Sequence, residues 1–475
     1  MRLPLRSELS LPVEEMRRLG YGAIDSIVER YASIGERSTG VKGDPALLRP
    51  LLAGRLEERP TPASEVFEEL EREILAYCGA IDHPRFFAFV PSPSNYISVL
   101  ADALASGHNV FAGTWLEGSG AIAAELALVD FLCRECGFPD SAGGLFVSGG
   151  SMANITALIA AREHKLGGDM ARGVAYLSTQ THSSVERGLR MMGLTPRQIV
   201  KLPADAAGRL RVCDLAERVA ADRAEGLQPF CVIANAGTTN TGAIDPLNEI
   251  AEWAHGEDLW VHVDGAYGAA AIFCDRGKRL LSGIEKVDSL SFDPHKWLFQ
   301  PFECGCVIVR DAAHLKSAYQ IFPDYLADVH RNLTEVNLCD YGIQLTRGFR
   351  ALKLWMSLRV FGVAAFREAV DRGFALAEYA EQCLAAEPET WEVVSPAQMA
   401  IVVFRFRGGA SSSRAAQDAD QVRIVETMLK QGRAFAGSTT HDGRKVLRMC
   451  TINPRTTDED IRETVALLRR AATGD

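Results

Sequence analysis

Between Gly143 and Asp311 the sequence alternates short apolar runs with amphipathic helical stretches, and this alternation constrains the fold more than any other feature. GLFVSGG reads as a strand ending in glycines, and SMANITALIAAREHK as the helix that follows. VAYLST and HSSVERGLRMMG repeat the pattern, then FCVIANAG and PLNEIAEWAHGE; LWVHVDGAYG, VDSLSFD and CGCVIVRD are further strands. Strands joined through helices imply right-handed crossovers and an α/β fold with a mostly parallel sheet covered on both faces. In such sheets ligands sit beyond the carboxyl ends of the strands. Residues at those ends are therefore the candidates for chemistry.

The flanks read differently. Residues 11–37 have helical periodicity, with Leu19, Ile24, Ile27 and Tyr31 on one face. A second helix is predicted through TPASEVFEELEREILAYCG, with Thr61 at its N-cap and Pro62 in its first turn. This helical arm, residues 1–85, is too small to hide its apolar faces and should pack on the main body or on a second subunit. The extended stretch HPRFFAFVPSPS follows, with Phe86 and Phe87 as expected core, and Phe89 and Ser92 as pocket candidates. Helices are expected at 95–106 and 118–137. The alternating body extends to about 360, where a long amphipathic helix leads away from it. Residues 361–475 form a small α+β unit in which GGASSSR is a flexible loop.

Composition removes several classes of function. The chain has 475 residues, 47% hydrophobic and 24% charged, as in ordinary globular proteins. A net charge of −10 without a basic stripe disfavours nucleic acid and anionic membrane surfaces as partners. No apolar run reaches the roughly 18–20 residues of a membrane span. The first residues, MRLPLRSELSLPVEEM, lack the apolar segment of a signal peptide. Eleven scattered cysteines fit a reducing cytoplasm. Cys133 and Cys136 form a lone CxxC inside a helical pattern, so no metal site is expected.

Five strand ends carry reactive groups. In SLSFDPHKWLFQPFECG the strand breaks at Asp293-Pro294 and presents His295, Lys296 and Trp297. A lysine between a histidine and an aromatic ring is partly desolvated there, which frees its amine for Schiff-base chemistry; an ordinary surface lysine fits the same stretch. Gly149, Gly150 and Ser151 join a strand to a helix N-terminus, a place that holds anions in many proteins and is an ordinary turn in others. Asp264 ends the strand WVHVD, and a buried carboxylate needs a partner; a protonated pyridine nitrogen would serve, as would the next turn. Ala266 is small enough to let a ring lie flat. His182 opens the helix after VAYLSTQ, either to stack on such a ring or to cap the helix. Thr238 and Thr239 stand at another strand end. Together these point to pyridoxal 5′-phosphate (PLP).

On these motifs the chain resembles the group II PLP-dependent decarboxylases, in particular the aromatic-L-amino-acid decarboxylase branch. The resemblance rests on HPRFFAFVPSPS, GGSMANITAL, THSSVERG, NAGTTNTGAID, HVDGAYG, FDPHKWL, TRGFRALKLW and LRMCTINPRTT, spread over nearly the whole length. It implies the PLP fold type I of aspartate aminotransferase and a homodimer whose N-terminal arms are exchanged. It implies Lys296 as the Schiff-base lysine, Asp264 as partner of the pyridine nitrogen, His182 as the stacking ring, and Gly150, Ser151 and His295 around the phosphate. Asn235 falls where the family often has threonine, and Asp293 where the animal enzymes have asparagine. A carboxylate beside a phosphate is unfavourable, so Asp293 is expected to point elsewhere or to be bridged by water.

The implied activity is decarboxylation of an L-amino acid, aromatic or otherwise bulky and apolar, to the amine and CO2. Registered on DYGIQLTRGFRALKLW, the family's proton-donating loop tyrosine falls on Leu338, which cannot donate; Tyr341, Tyr325 and His330 are the substitutes. Losing that hydroxyl in relatives favours an aldehyde, with ammonia and hydrogen peroxide, as the alternative product. Ile81 and Gly113 stand where the aromatic decarboxylases carry large rings, with Phe89, Ser92, Phe111 and Trp115 nearby.

Overall fold

The structure is a computed structural model and describes residues 9–40, 42–56, 58–321, 332, 334–408 and 413–474. In chain order its elements begin with helices α1 (Val13–Ser33), α2 (Pro45–Ala53), α3 (Ala63–Glu69), α4 (Tyr96–Gly107) and α5 (Trp115–Glu135). The alternating body follows: β1 (Gly143–Val147), α6 (Gly150–Leu166), β2 (Gly173–Ser178), α7 (Ser183–Met191), β3 (Ile199–Leu202), α8 (Val212–Ala224), β4 (Gln228–Asn235), α9 (Leu247–Gly256), β5 (Trp260–Asp264), α10 (Asp275–Leu280), β6 (Ser289–Phe292), β7 (Gly305–Val309) and α11 (Ala313–Tyr319). The remainder comprises α12 (Ala351–Ala385), β8 (Trp391–Gln398), β9 (Ile401–Phe406), α13 (Arg414–Gln431), β10 (Gly437–His441), β11 (Arg444–Cys450) and α14 (Asp458–Thr473).

Strands β1 to β7 form one sheet in the order β1-β7-β6-β5-β4-β2-β3. β7 runs antiparallel to both its neighbours, and the other pairings are parallel. The expected α/β architecture with a mostly parallel sheet is thus present. Burial on both faces explains the near-continuous apolar strands: Val261, Val263, Val232, Ile233 and Leu290 are inaccessible to solvent. A second, antiparallel sheet has the order β10-β11-β9-β8, backed by α12 and α13, with α14 packed on both helices.

Local signals account for several boundaries. Asn95 caps α4, its side chain accepting from Ser98 N at 2.9 Å. Thr457 and Asp460 form a reciprocal capping box on α14. α12 changes direction at Gly362, whose φ of 78° is open to glycine alone at little cost. Two expectations need correction. Pro62, not Thr61, caps α3, and the helix passes into a π turn at Leu70–Ile74 instead of running on. The polar or proline-marked stretches that become α2, β3 and α8 gave no clear periodic signal. GGASSSR lies largely outside the described residues.

Candidate active site

The parallel strands deliver their carboxyl ends to one edge. Asn235, Asp264 and Ser291 are adjacent in register across β4, β5 and β6. The loops leaving this edge, with the start of α6, enclose a cavity of about 420 Å³. Gly149, Gly150, Ser151, His182, Asn235, Thr238, Thr239, Asp264, Ala266, Asp293, His295 and Lys296 all border it.

Lys296 is held on a tight turn after β6. Its N–H donates to Asp293 O at 2.9 Å, and Ser92 Oγ donates to His295 O at 2.5 Å. The amine stands 3.0 Å from Asp293 Oδ2; the lysine side chain is 24% exposed and the acid 2%. An acidic partner, not desolvation, therefore dominates the surroundings of this amine. Trp297 does not shield it either. That ring is fully buried, stacked on Tyr267 at 5.5 Å and 14°, and ties the lysine turn to the core.

His295 donates from Nδ1 to Cys304 O at 2.7 Å, which leaves Nε2 3.7 Å from Asp293 Oδ2. Burial lowers its pKa from the usual histidine value, with Asp293 opposing the shift. Asp293 Oδ1 is buried without a hydrogen-bond partner. Asp293 is thus turned to the lysine, yet it stays beside the glycine turn: a Cβ on Gly150 would lie 2.8 Å from Asp293 Oδ2 and 2.7 Å from Ala266 Cβ. Only glycine fits between them. As the first residues of α6, Gly150 and Ser151 have N–H groups without intrahelical acceptors.

Asp264 accepts from Asn154 Nδ2 at 3.2 Å on Oδ2, and from Ser291 Oγ and Ala266 N, each at 3.2 Å, on Oδ1. His182 is the N-cap of α7; its Nδ1 faces Ser184 Oγ at 2.9 Å and Ser184 N at 3.3 Å. The capping nitrogen is the inner one, so Nε2 and the ring face remain available to the cavity. Asn235 is fixed from behind. Its Nδ2 donates to Asp245 Oδ2 at 2.8 Å and to Thr181 Oγ1 at 3.2 Å. Burial raises the pKa of Asp245, against the hydrogen bonds it accepts from Leu210 and Asn235. The Thr238 hydroxyl is engaged within its own turn, with Thr241 Oγ1 at 3.0 Å and Ala243 N at 3.2 Å.

The expected substrate residues lie elsewhere in the single chain. None of Ile81, Phe89, Ser92, Phe111 and Gly113 borders the Lys296 cavity. Phe89 is 66% exposed and meets Phe435 edge-on; Ser92 supports the lysine turn from beneath. A Cβ on Gly113 would stand 2.4 Å from the Phe111 ring, so this glycine makes room for Phe111. Leu338 is 1% exposed and packs in the core under α6, outside the cavity lining. Tyr341 is half-buried beside the same cluster, and Tyr325 and His330 lie outside the described residues.

Sequence reasoning missed Asn154, Ser184, His262 and Asp245. Two were within reach. Asn154 is one helical turn beyond Ser151, and His262 is two residues before Asp264 on the same strand face.

Comparison with known proteins adds to this geometry. Residues 45–407 match the family model described as the pyridoxal-dependent decarboxylase conserved domain. The chain is 44% identical over 469 residues to an aromatic-L-amino-acid decarboxylase of Bacillus atrophaeus, covering 98% of each. It is 28% identical to phenylacetaldehyde synthase of Arabidopsis thaliana, over 97% of this chain and 96% of that one. Among solved structures, Oryza sativa TDC with PLP and tryptamine superposes with a TM-score of 0.92 at 30% identity, over 98% of this chain and 99% of that one.

Proposed function

The chain belongs to the pyridoxal-dependent decarboxylase family, and we propose that it converts an L-amino acid with an aromatic or other bulky apolar side chain to the corresponding amine and CO2. The observation that carries this reading is the meeting of Lys296, Asp264 and the Gly149-Gly150-Ser151 turn around one cavity.

The residues present suit PLP. A lysine amine, a buried carboxylate held by three donors, free N–H groups at a helix start and a glycine that keeps the turn clear are the donor set a phosphorylated pyridine aldehyde requires. Lys296 Nζ would bond its aldehyde carbon, and Asp264 would accept the ring N–H. Gly150, Ser151 and His295 would hold the phosphate. His182 would lie against one ring face, with Ala266 leaving room opposite and Asn235 at the ring's edge. When bound, the group supplies a sink for the electron pair left behind as CO2 departs.

The protein's own contribution is orientation and proton management. Asp264, whose oxygens accept from Asn154, Ser291 and Ala266, would face the ring nitrogen and accept its N–H. Asp293, 3.0 Å from Lys296 Nζ, orients that amine, and His295 Nε2 stands 3.7 Å from the same carboxylate. Leu338 cannot donate the final proton, and Tyr325, His330 and Tyr341 are the candidates.

We further propose a cytoplasmic homodimer in which residues 1–85 form the exchanged arm, 86–360 the cofactor-binding body and 361–475 the small domain. In that dimer Ile81, Phe89, Phe111 and Gly113 would complete the substrate pocket of the partner subunit. Among the described residues no helix is long and apolar enough to cross a membrane. Incubation with a panel of L-amino acids, read by mass spectrometry alongside peroxide and ammonia assays, tests the reaction. Amine without peroxide is expected; no turnover of any aromatic or bulky apolar substrate would remove the reading. A second reading, oxidative release of the aldehyde, is supported by the likeness to phenylacetaldehyde synthase and would appear in the same assay as aldehyde with peroxide.

A further inference from the structure

Behind Asp264, on the side away from the cavity, runs a file of buried polar side chains that no step of the reaction touches. Asn154 Nδ2 lies 3.2 Å from Asp264 Oδ2, and Asn154 Oδ1 lies 3.0 Å from His262 Nε2. His262 Nδ1 lies 2.9 Å from Ser289 Oγ, which in turn lies 2.8 Å from Trp260 Nε1. Asn154, His262 and Ser289 are wholly inaccessible to solvent, and Trp260 is 1% exposed.

The two ends of this file fix the direction of every bond in it. An indole N–H only donates, and an ionised carboxylate only accepts. Trp260 must therefore donate to Ser289, whose own hydrogen goes to His262 Nδ1. His262 then carries its proton on Nε2 and donates it to Asn154 Oδ1, and the carboxamide donates to Asp264. The second Asn154 hydrogen goes to Ser184 Oγ at 3.1 Å, which leaves the Ser184 hydroxyl to donate to His182 Nδ1. All the dipoles thus turn their positive ends towards the cavity, and successive bonds polarise one another in a dry environment. Burial holds His262 neutral, its pKa lowered to about 4, as the file requires.

Building and keeping such a file has a cost, because each member must be satisfied or pay desolvation. On this face of the sheet the positions paired with His262 and Ser289 on the flanking strands are apolar and fully buried, Ile233 and Val309, so packing alone does not call for a histidine and a serine here. We propose that His262, with Asn154 and Ser289, is a positioning residue: the one-way file from Trp260 aims Asp264 at the ring nitrogen of PLP and strengthens that contact. The proposal rests on Asp264 being the nitrogen's partner, as read above.

The test uses cofactor binding, not turnover. Full-length apoenzyme is titrated with PLP and with 1-deazapyridoxal 5′-phosphate, which has carbon in place of the ring nitrogen. The ratio of the two affinities isolates the nitrogen contact. His262→Phe cuts the file, and the ratio should fall by about tenfold, the scale of one hydrogen bond to a charged group. His262→Gln can still accept from Ser289 and donate to Asn154, and should keep most of the ratio. Equal weakening of both ligands by His262→Phe means that the histidine only packs, and overturns the proposal. If His262→Phe fails to fold, as judged by circular dichroism, Ser289→Ala decides: a smaller drop in the same ratio supports the file, and an unchanged ratio overturns it. Asp264→Asn separates the two layers of the argument. It should abolish the preference for PLP; a preference left intact removes the Asp264 reading itself, whereas its loss together with an unaltered His262→Phe ratio removes the file alone.

Discussion

Lys296 Nζ stands 3.0 Å from Asp293 Oδ2, in an ion pair whose acid is almost wholly buried and whose other oxygen has no hydrogen-bond partner. The pair places a negative charge next to the glycine turn that would receive a phosphate. Asp293→Asn removes that charge and keeps the shape. Inorganic phosphate should then compete with PLP for the apoenzyme more effectively, by about threefold or more given the short range involved. Reconstitution rates measured over a phosphate series check this, and an unchanged inhibition constant contradicts it.

Lys296→Ala should abolish turnover and the visible absorbance of the lysine-bound cofactor, while leaving the fold intact. The lysine side chain is part-exposed, but its removal leaves the buried Asp293 carboxylate without its ion-pair partner, so the melting temperature should fall. A spectrum identical to that of the parent would show that another amine holds PLP.

Leu338 cannot donate a proton, so on the proposed reading the product depends on another donor among Tyr325, His330 and Tyr341. Tyr325→Phe should shift the products from amine towards aldehyde, with peroxide and ammonia appearing in step. Peroxide assays on the variant and its parent settle it; amine formed at the parental rate removes Tyr325 from the role.

Arg347 and Glu125 form an ion pair sealed from solvent, with side chains 1% and 0% exposed and Nη2 2.5 Å from Oε1. Arg347 also donates to Ala112 O at 2.7 Å and Phe146 O at 2.8 Å, and so clamps the chain before α12 to β1. Arg347→Ala strands a buried carboxylate and should cost about 3–5 kcal/mol of stability. Urea unfolding checks the size. Replacing both partners with apolar residues should recover part of the loss.

His262 makes stability depend on pH. Its folded pKa of about 4 lies below the ordinary 6.5, so the unfolded chain binds a proton that the native state refuses. The histidine's contribution is complete above pH 6.5 and is lost as pH falls below that value towards 4. In His262→Gln the decline across this range should be shallower. Unfolding free energies at pH 7 and pH 4.5 give the comparison.

The sequence by itself determined the strand ends and what they carry. Lys296 after Asp293-Pro294, Asp264 closing WVHVD and Gly150 opening a helix are local facts, set by alternation along a strand, helix-start chemistry and proline's missing donor. Packing aromatics such as Phe86 and Phe87 were equally legible, because apolar burial follows from residue type. Only the tertiary structure decided which distant groups meet. Asn154 reaches Asp264 across 110 positions and Arg347 reaches Glu125 across 222, and neither meeting has any period or spacing to betray it. Strand order creates these contacts: β5 lies between β4 and β6 and is crossed by α6, so the back of Asp264 is filled by residues from separate segments. The same reason applies to the expected pocket residues within one chain. Ile81, Phe89, Phe111 and Gly113 flank the fold without reaching its cavity, since a side chain's neighbours depend on how layers close and not on where it stands in the chain.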